Sequence, residues 1–153
     1  RLKVVLVGEG PLRARLERLI RRYGLQDCVE LAGRMDRAGI RELYRRADVY
    51  VAPATMESFG IAALEARCSG VPVLARRRTG IADFVEDGVH GRLARNDREL
   101  ARALAEVAAS PQLRGRMTDH NRAHVPETGW DDVLQRCDLA YKVAAELAPP
   151  VRQ

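Results

Sequence analysis

Pro53-Ala54-Thr55-Met56-Glu57-Ser58-Phe59-Gly60-Ile61-Ala62-Ala63-Leu64-Glu65-Ala66-Arg67-Cys68-Ser69-Gly70 is the stretch around which this chain is organised. The apolar run Asp48-Val49-Tyr50-Val51-Ala52 leads into it and predicts a strand. Pro53 ends that strand because it has no N–H to give to a ladder. A polar loop follows, and then a helix expected to start near Phe59 or Gly60 and to stop at Gly70. Glu57 falls in the loop and Glu65 about one and a half turns into the helix. The free N–H groups of the first turn, around Ser58 to Ala62, then point between the two carboxylates. A helix N-terminus accepts phosphate, and flanking carboxylates accept hydroxyl donors. The combination suits a ligand that is part anion and part polyol.

Outward from this stretch, strand and helix patterns alternate. Leu2 to Val7 is a β-branched apolar run fit for a covered parallel strand. Gly8-Glu9-Gly10-Pro11 turns it into a helix, with Pro11 expected at the first helical position. Leu12, Leu16, Leu19, Ile20 and Tyr23 form its apolar face, and Gly24 stops it. Cys28 to Ala32 reads as the next strand, closed by Gly33, and Ile40, Leu43, Tyr44 and Ala47 mark a short amphipathic helix. Beyond Gly70, Val71 to Ala75 is a buried strand beginning at a proline. Arg76-Arg77-Arg78-Thr79-Gly80 leaves its C-terminal end, and as a charge run it reads as a solvated loop. Arg92-Leu93-Ala94 is a small strand. Asn96 or Asp97 caps a helix carrying Leu100, Ala103, Leu104, Val107 and Ala108. Ser110-Pro111 opens another helix, ending around His124 to Pro126. Trp130 opens the last, with Val133, Cys137, Ala140, Tyr141, Ala144 and Leu147 on one face, ended by Pro149-Pro150. The alternation predicts an α/β fold, a Rossmann-like doubly wound and mostly parallel sheet with right-handed crossovers.

Composition narrows the function. With 153 residues, 46% hydrophobic and 31% charged, the chain has the make-up of one ordinary globular domain. No apolar run approaches the roughly 18–20 residues of a membrane span. The net charge of +5 could serve nucleic acid, an anionic membrane face or a phosphorylated substrate. Only 5% of residues are aromatic, which argues against a nucleic-acid surface. Cys28, Cys68 and Cys137 read as buried small apolar groups in a reducing compartment. His120 and His124 would share a helix face but lack a third ligand, so no metal is expected. Ser58 lacks the G-x-S-x-G elbow of a nucleophile.

Glu57, seven residues and Glu65 form an E-x7-E pattern, preceded by Asp48-Val49 and Pro53 and followed by Gly70-Val71-Pro72-Val73. With Glu57-Ser58-Phe59-Gly60 as its start, this string resembles the C-terminal, donor-binding domain of retaining GT-B glycosyltransferases of the family 4 type. The resemblance runs over nearly the whole chain, residues 1–153. It implies transfer of a hexosyl group from a nucleoside diphosphate sugar with retention, without a metal or other cofactor. It implies that Glu65 holds the ribose hydroxyls and Glu57 the donor-sugar hydroxyls at the reacting centre, so that Glu57 is the candidate catalytic residue. Ser58 and the amides of Phe59, Gly60 and Ile61 then face the diphosphate or sugar. Gly8 and Gly10 lie near the pyrophosphate, Arg34 and Met35 near the nucleobase, and Thr79 and Gly80 complete the donor site. No residue stands out as a general base; in this family the leaving phosphate is thought to assist the acceptor. Arg76, Arg77 and Arg78 depart from the small or neutral residues usual there.

In the family, a further strand and helix precede Leu2, supply an Arg and a Lys to the diphosphate, and place a strand between those of Leu2 and Asp48. The chain is therefore expected to be part of a longer protein whose N-terminal domain holds the acceptor. Alone, it is expected either to pair those two strands directly or to fill the gap with another chain, to bind nucleotide weakly and to turn over nothing. A cytoplasmic location, with peripheral membrane contact allowed, goes with this reading. Two other classes stay open: a nucleotide-binding or degenerate transferase module without chemistry, and an NAD-type oxidoreductase domain. Against the latter, Arg13 stands where a third fingerprint glycine belongs, and Ala32-Gly33 stand where an acidic residue would end the second strand.

Overall fold

The computed structural model describes residues 2–126 and 130–147. The chain separates into two units, Arg1–Ala123 and His124–Gln153. The first holds five strands, five α-helices and one 3-10 turn among the described residues, in strict alternation at its start. These are β1 (Val4–Val7), α1 (Arg13–Arg22), β2 (Val29–Gly33), α2 (Arg37–Arg46), β3 (Tyr50–Ala52), α3 (Ile61–Cys68), β4 (Val73–Arg76), the turn Gly80–Asp83, β5 (Gly91–Ala94), α4 (Asp97–Ala109) and α5 (Pro111–Ala123). All strand pairings are parallel, so the α/β, Rossmann-like architecture expected from the alternation is what the chain forms.

The strands form two sheets, β1-β2 and β3-β4-β5. Among the described residues the Leu2 and Asp48 strands do not pair directly: β1 bonds to β2 and β3 to β4, which leaves each with an unpaired edge. Leu6 and Val7 of β1 and Val51 of β3 are correspondingly exposed. β4, flanked on both sides, is buried throughout, which explains why its sequence is an unbroken apolar run up to Arg76.

Side chains of β4 alternate between two cores, as strand geometry requires. Val73 and Ala75 join Tyr44, Ala63, Ala66, Val71, Ile81 and Val85 on the α2–α3 side. Leu74 joins Ala94, Leu100, Ala103, Val107 and Met117 on the α4–α5 side. Asn121, fully buried, ties the second layer to the sheet by donating from Nδ2 to the carbonyls of Val71 (3.3 Å) and His90 (3.1 Å).

Helix ends follow local chemistry. Asn96 caps α4 by accepting from the Glu99 N–H at 2.9 Å. Ser110 Oγ accepts from the Leu113 N–H at 3.2 Å before α5, and Asp36 caps α2 from Gly39 at 2.7 Å. Pro11 is not the first helical residue: it lies in the turn at Pro11 and Leu12, and α1 starts at Arg13. α5 stops at Ala123, so His124 is outside it and shares no helical face with His120; the His120 ring instead meets that of His90 at 4.9 Å.

The second unit contains α6 (Trp130–Leu147), whose apolar residues Val133, Leu134, Leu139, Tyr141, Val143 and Leu147 are exposed. Pro149 and Pro150, expected to end it, lie outside the described residues. The cysteines correct a further expectation. All three are free, but Cys68 and Cys137 are exposed and only Cys28 is half-buried. On the short α3, the buried stripe passes through Ala63, Ala66 and Arg67 and leaves Cys68 outside it.

Candidate donor-binding site

The site forms at the C-terminal end of the β3-β4-β5 sheet, the side on which open α/β sheets hold ligands. Pro53 ends β3, the chain runs through Ala54 to Phe59, and Gly60 starts α3 in the left-handed region at φ 89°. A glycine is needed there twice over. L-residues avoid that conformation, and a Cβ would lie 2.5 Å from Ile81 Cγ1. Having no side chain, Gly60 gives α3 no side-chain cap, so the first-turn amides of Ile61 to Ala63 are left for water or ligand.

The loop is held against the Gly80–Asp83 turn. Gly80 N–H donates to the Glu57 carbonyl at 2.9 Å, and a Cβ at Gly80 would fall 1.9 Å from the Ser58 oxygen. Phe59 packs its ring on that of Phe84, with centroids 5.4 Å apart. Thr79 Oγ1 donates to the Arg76 carbonyl at 2.8 Å and closes the turn before Gly80. Gly80, named from the sequence with Glu57 to Ile61, is thus joined to Glu57, Ser58 and Phe59 by backbone contact, and Thr79 precedes it in the turn.

Glu57 and Glu65 are both exposed and bear on one tyrosine. Burial, then Glu57, then Glu65 raise the Tyr50 hydroxyl above its usual range. Burial, with Tyr50 and Glu65 after it, pushes Tyr44 to about 12. Both carboxylates therefore act on the Tyr50 hydroxyl. Glu57 also accepts from the Phe59 N–H at 3.3 Å, which folds its carboxylate back over the helix start. From α2, Tyr44 Oη donates to the Ala62 carbonyl at 2.9 Å and locks the first turn of α3 in place.

A second group lies at the ends of β1 and β2. Gly8 N–H donates to the Gly33 carbonyl at 2.7 Å. Gly10 is exposed, Arg34 is exposed and Met35 is half-buried. Among the described residues no hydrogen bond or ion pair joins this group to the Glu57–Glu65 group. Each sits at the C-terminal end of its own sheet.

The three arginines after β4 are not one solvated loop. Arg76 is the last residue of β4 and is buried. Its Nη2 meets Asp97 Oδ1 at 2.5 Å and its Nε donates to the Pro53 carbonyl at 3.3 Å. Arg77 pairs with Asp87 at 2.7 Å, and Arg78 is exposed. Arg67 is buried too: Nη1 donates to the Phe84 carbonyl and Nη2 lies 2.9 Å from His90 Nε2. Sequence reasoning misses both: it reads Arg76 with Arg77 and Arg78 as a solvated charge run, and Arg67 falls on a helix where only partners distant in sequence bury it. A concavity of about 540 Å³ lies on the outer side of β5, lined by Arg77, Asp87, Arg92, Arg95, Glu99 and Arg102. Carboxylates of this chain already pair Arg77, Arg92 and Arg95. Among the described residues no group of three or more His, Cys, Asp or Glu could hold a metal ion, and no helix is long and apolar enough to cross a membrane.

Residues 1–124 match the model of a family described as glycosyl transferases group 1. The chain belongs to that family. A D-inositol 3-phosphate glycosyltransferase of Kribbella flavida is 36% identical over 95% of this chain and 36% of its own length. One from Streptomyces coelicolor is 34% identical over 86% and 29%. The chain thus spans about a third of the curated relatives it matches. Among solved structures, Anabaena HepE in complex with UDP superposes with TM-score 0.76 at 26% identity, over 94% of this chain and 41% of that one. A glycosyltransferase from Rickettsia africae reaches TM-score 0.80 at 18% identity, over 97% and 41%, a likeness of fold. This group 1 transferase chain thus has the GT-B type of α/β fold.

Proposed function

We propose that this chain is the donor-binding part of a retaining hexosyltransferase that uses a nucleoside diphosphate sugar. The observation that carries the reading is the start of α3, which has no side-chain cap, with the Glu57 carboxylate folded over it at the Phe59 N–H and Glu65 one turn further along the same helix. Glu65 accepts the ribose hydroxyls and Glu57 those of the donor sugar. The amides of Phe59, Gly60 and Ile61, with Ser58 beside them, face the diphosphate or the sugar.

The chemistry asked of the protein is to hold the diphosphate as negative charge builds on it during departure of the sugar. Preorganised N–H groups and a helix terminus do this without reorganising. The carboxylates bind and orient; they are not the acid and base pair of a hydrolase. Gly8, Gly10, Arg34 and Met35 are assigned to the pyrophosphate and nucleobase side, and no metal is needed. HepE, a relative in fold at 25% identity, is seen in complex with UDP-glucose, which supports a uridine donor for this chain. An N-terminal domain of the full-length protein supplies the acceptor site. The location is cytoplasmic, with membrane contact at most peripheral.

The test is a thermal-shift titration with UDP, GDP, ADP and their sugars, with and without EDTA. A ligand at about a hundredfold its Kd adds about 2.7 kcal/mol to apparent stability. A nucleoside diphosphate shift that EDTA leaves intact and Glu65→Ala removes is expected. An unchanged shift in Glu65→Ala discards the ribose assignment, and no shift with any nucleotide discards donor binding by this chain.

A further inference from the structure

We propose that Arg76 is a positioning residue for the Pro53–Ser58 loop, and so for the Glu57 carboxylate; its link to nucleotide binding rests on the donor-site reading above. The loop carrying Glu57 is held at its far end by several contacts: Gly80 N–H on the Glu57 carbonyl, Gly80 against Ser58, and the Phe59–Phe84 ring pair. Its near end is held differently. Pro53 has just left β3, and its carbonyl points past the end of the strand to receive the Arg76 Nε–H at 3.3 Å. Beyond it, Ala54, Thr55 and Met56 are exposed, Met56 at 92%.

Arg76 is built for this task. It follows Leu74 on the α4 side of β4, its side chain only 10% exposed, while its partner Asp97 is 89% exposed at the first residue of α4. A buried guanidinium with one wet carboxylate is costly unless its remaining donors are used. Here the Nε–H is used on the loop. The planar fork lets one side chain grip the carboxylate and the carbonyl together, which an ammonium cannot do with the same geometry. The Arg76 carbonyl is itself fixed by Thr79 Oγ1 at 2.8 Å. One residue therefore connects the start of α4, the end of β4, the turn leading to Gly80 and the loop that bears Glu57.

The experiment compares wild type with Arg76→Lys, Arg76→Met and Asp97→Asn by amide hydrogen exchange without ligand, and by UDP titration. In Arg76→Lys the pair with Asp97 can persist and the bond to Pro53 is lost, so exchange at the Gly80 amide, which bonds the Glu57 carbonyl of the loop, rises about tenfold while α4 stays protected. The UDP Kd rises by a similar factor. Asp97→Asn, which leaves the guanidinium less firmly aimed, gives a smaller change in the same direction. If Arg76→Lys and Arg76→Met both leave exchange at the Gly80 amide as in wild type, or raise it equally in α4 and α5, the assignment is overturned. The exchange measurement needs no nucleotide. A wild type that fails to bind UDP sinks the donor-site reading alone, and unchanged exchange at the Gly80 amide sinks the role of Arg76 alone.

Discussion

Replacing Gly80 with alanine probes the contact that seats the Glu57 loop. A Cβ there would stand 1.9 Å from the Ser58 carbonyl oxygen, 2.5 Å from its carbon and 3.0 Å from Phe59 Cα, where ordinary contact starts at 3.4 Å. All three are backbone atoms, so no side-chain rotation relieves the overlap. The loop must move away by more than an ångström, and the Gly80 N–H to Glu57 carbonyl bond, now 2.9 Å, is stretched or broken. Overpacking of this kind costs about 1–3 kcal/mol, and the lost bond adds about 0.5–1.5 kcal/mol. Together about 2–4 kcal/mol should be lost from a domain whose total is about 5–15 kcal/mol. That corresponds to a fall in Tm of about 5–15 °C. Urea unfolding followed by far-ultraviolet circular dichroism gives the number directly. Gly115→Ala in α5 is the matched control. Nothing lies within 4 Å of its Cβ, and alanine in a helix interior should stabilise by about 0.5–1 kcal/mol. A Gly80→Ala chain within about 0.5 kcal/mol of wild type would mean that the loop is not seated on this turn.

Other expectations follow from single contacts. Tyr44, raised to about 12 by burial first, has a folded pKa above its unfolded value of 10.0. Its stabilising effect is whole below pH 10 and is lost as pH climbs toward 12, with stability falling by about 2–3 kcal/mol over that window. Tyr44→Phe should flatten this alkaline decline and, at neutral pH, cost about 0.5–1.5 kcal/mol for the bond to Ala62, both visible in urea midpoints across pH. Asn96→Ala should cost about 1 kcal/mol through loss of the α4 cap, measured as a Tm decrease with nucleotide affinity unchanged. Asn121→Ala, which leaves the Val71 and His90 carbonyls without their shared donor in a closed interior, should cost about 1–3 kcal/mol by the same denaturation measurement.

Much of the fold could be read from local chemistry. Pro53 stopping β3, Gly60 starting α3, Gly70 closing the segment and Asn96 capping α4 are short-range effects carried by backbone geometry, and the structure has them where the residues placed them. What could not be read depends on partners distant in sequence. Arg76 is buried because Asp97 and the Pro53 carbonyl meet it, and a run of three arginines gives no sign of that. Cys68 is exposed because α3 is only eight residues long and its buried stripe runs through Arg67. The separation of β1-β2 from β3-β4-β5 is a matter of which edges find each other, which strand sequences alone do not encode. Around the candidate site, Glu57, Ser58 and Phe59 lie against Gly80 through backbone contacts. The roles of Arg76 in seating the loop and of Tyr44 in locking α3 were missed, because both act through backbone carbonyls that no side-chain motif records.

The central claim, that a nucleoside diphosphate is gripped where α3 begins, is tested most directly by mapping UDP onto this chain through amide chemical shifts. The amides of Phe59, Gly60 and Ile61 should move most, with smaller changes near Glu65 and Gly80, and Glu65→Ala should abolish the pattern. Shifts concentrated instead on Arg92, Arg95 and Arg102 beside β5, with the start of α3 unmoved, would contradict it.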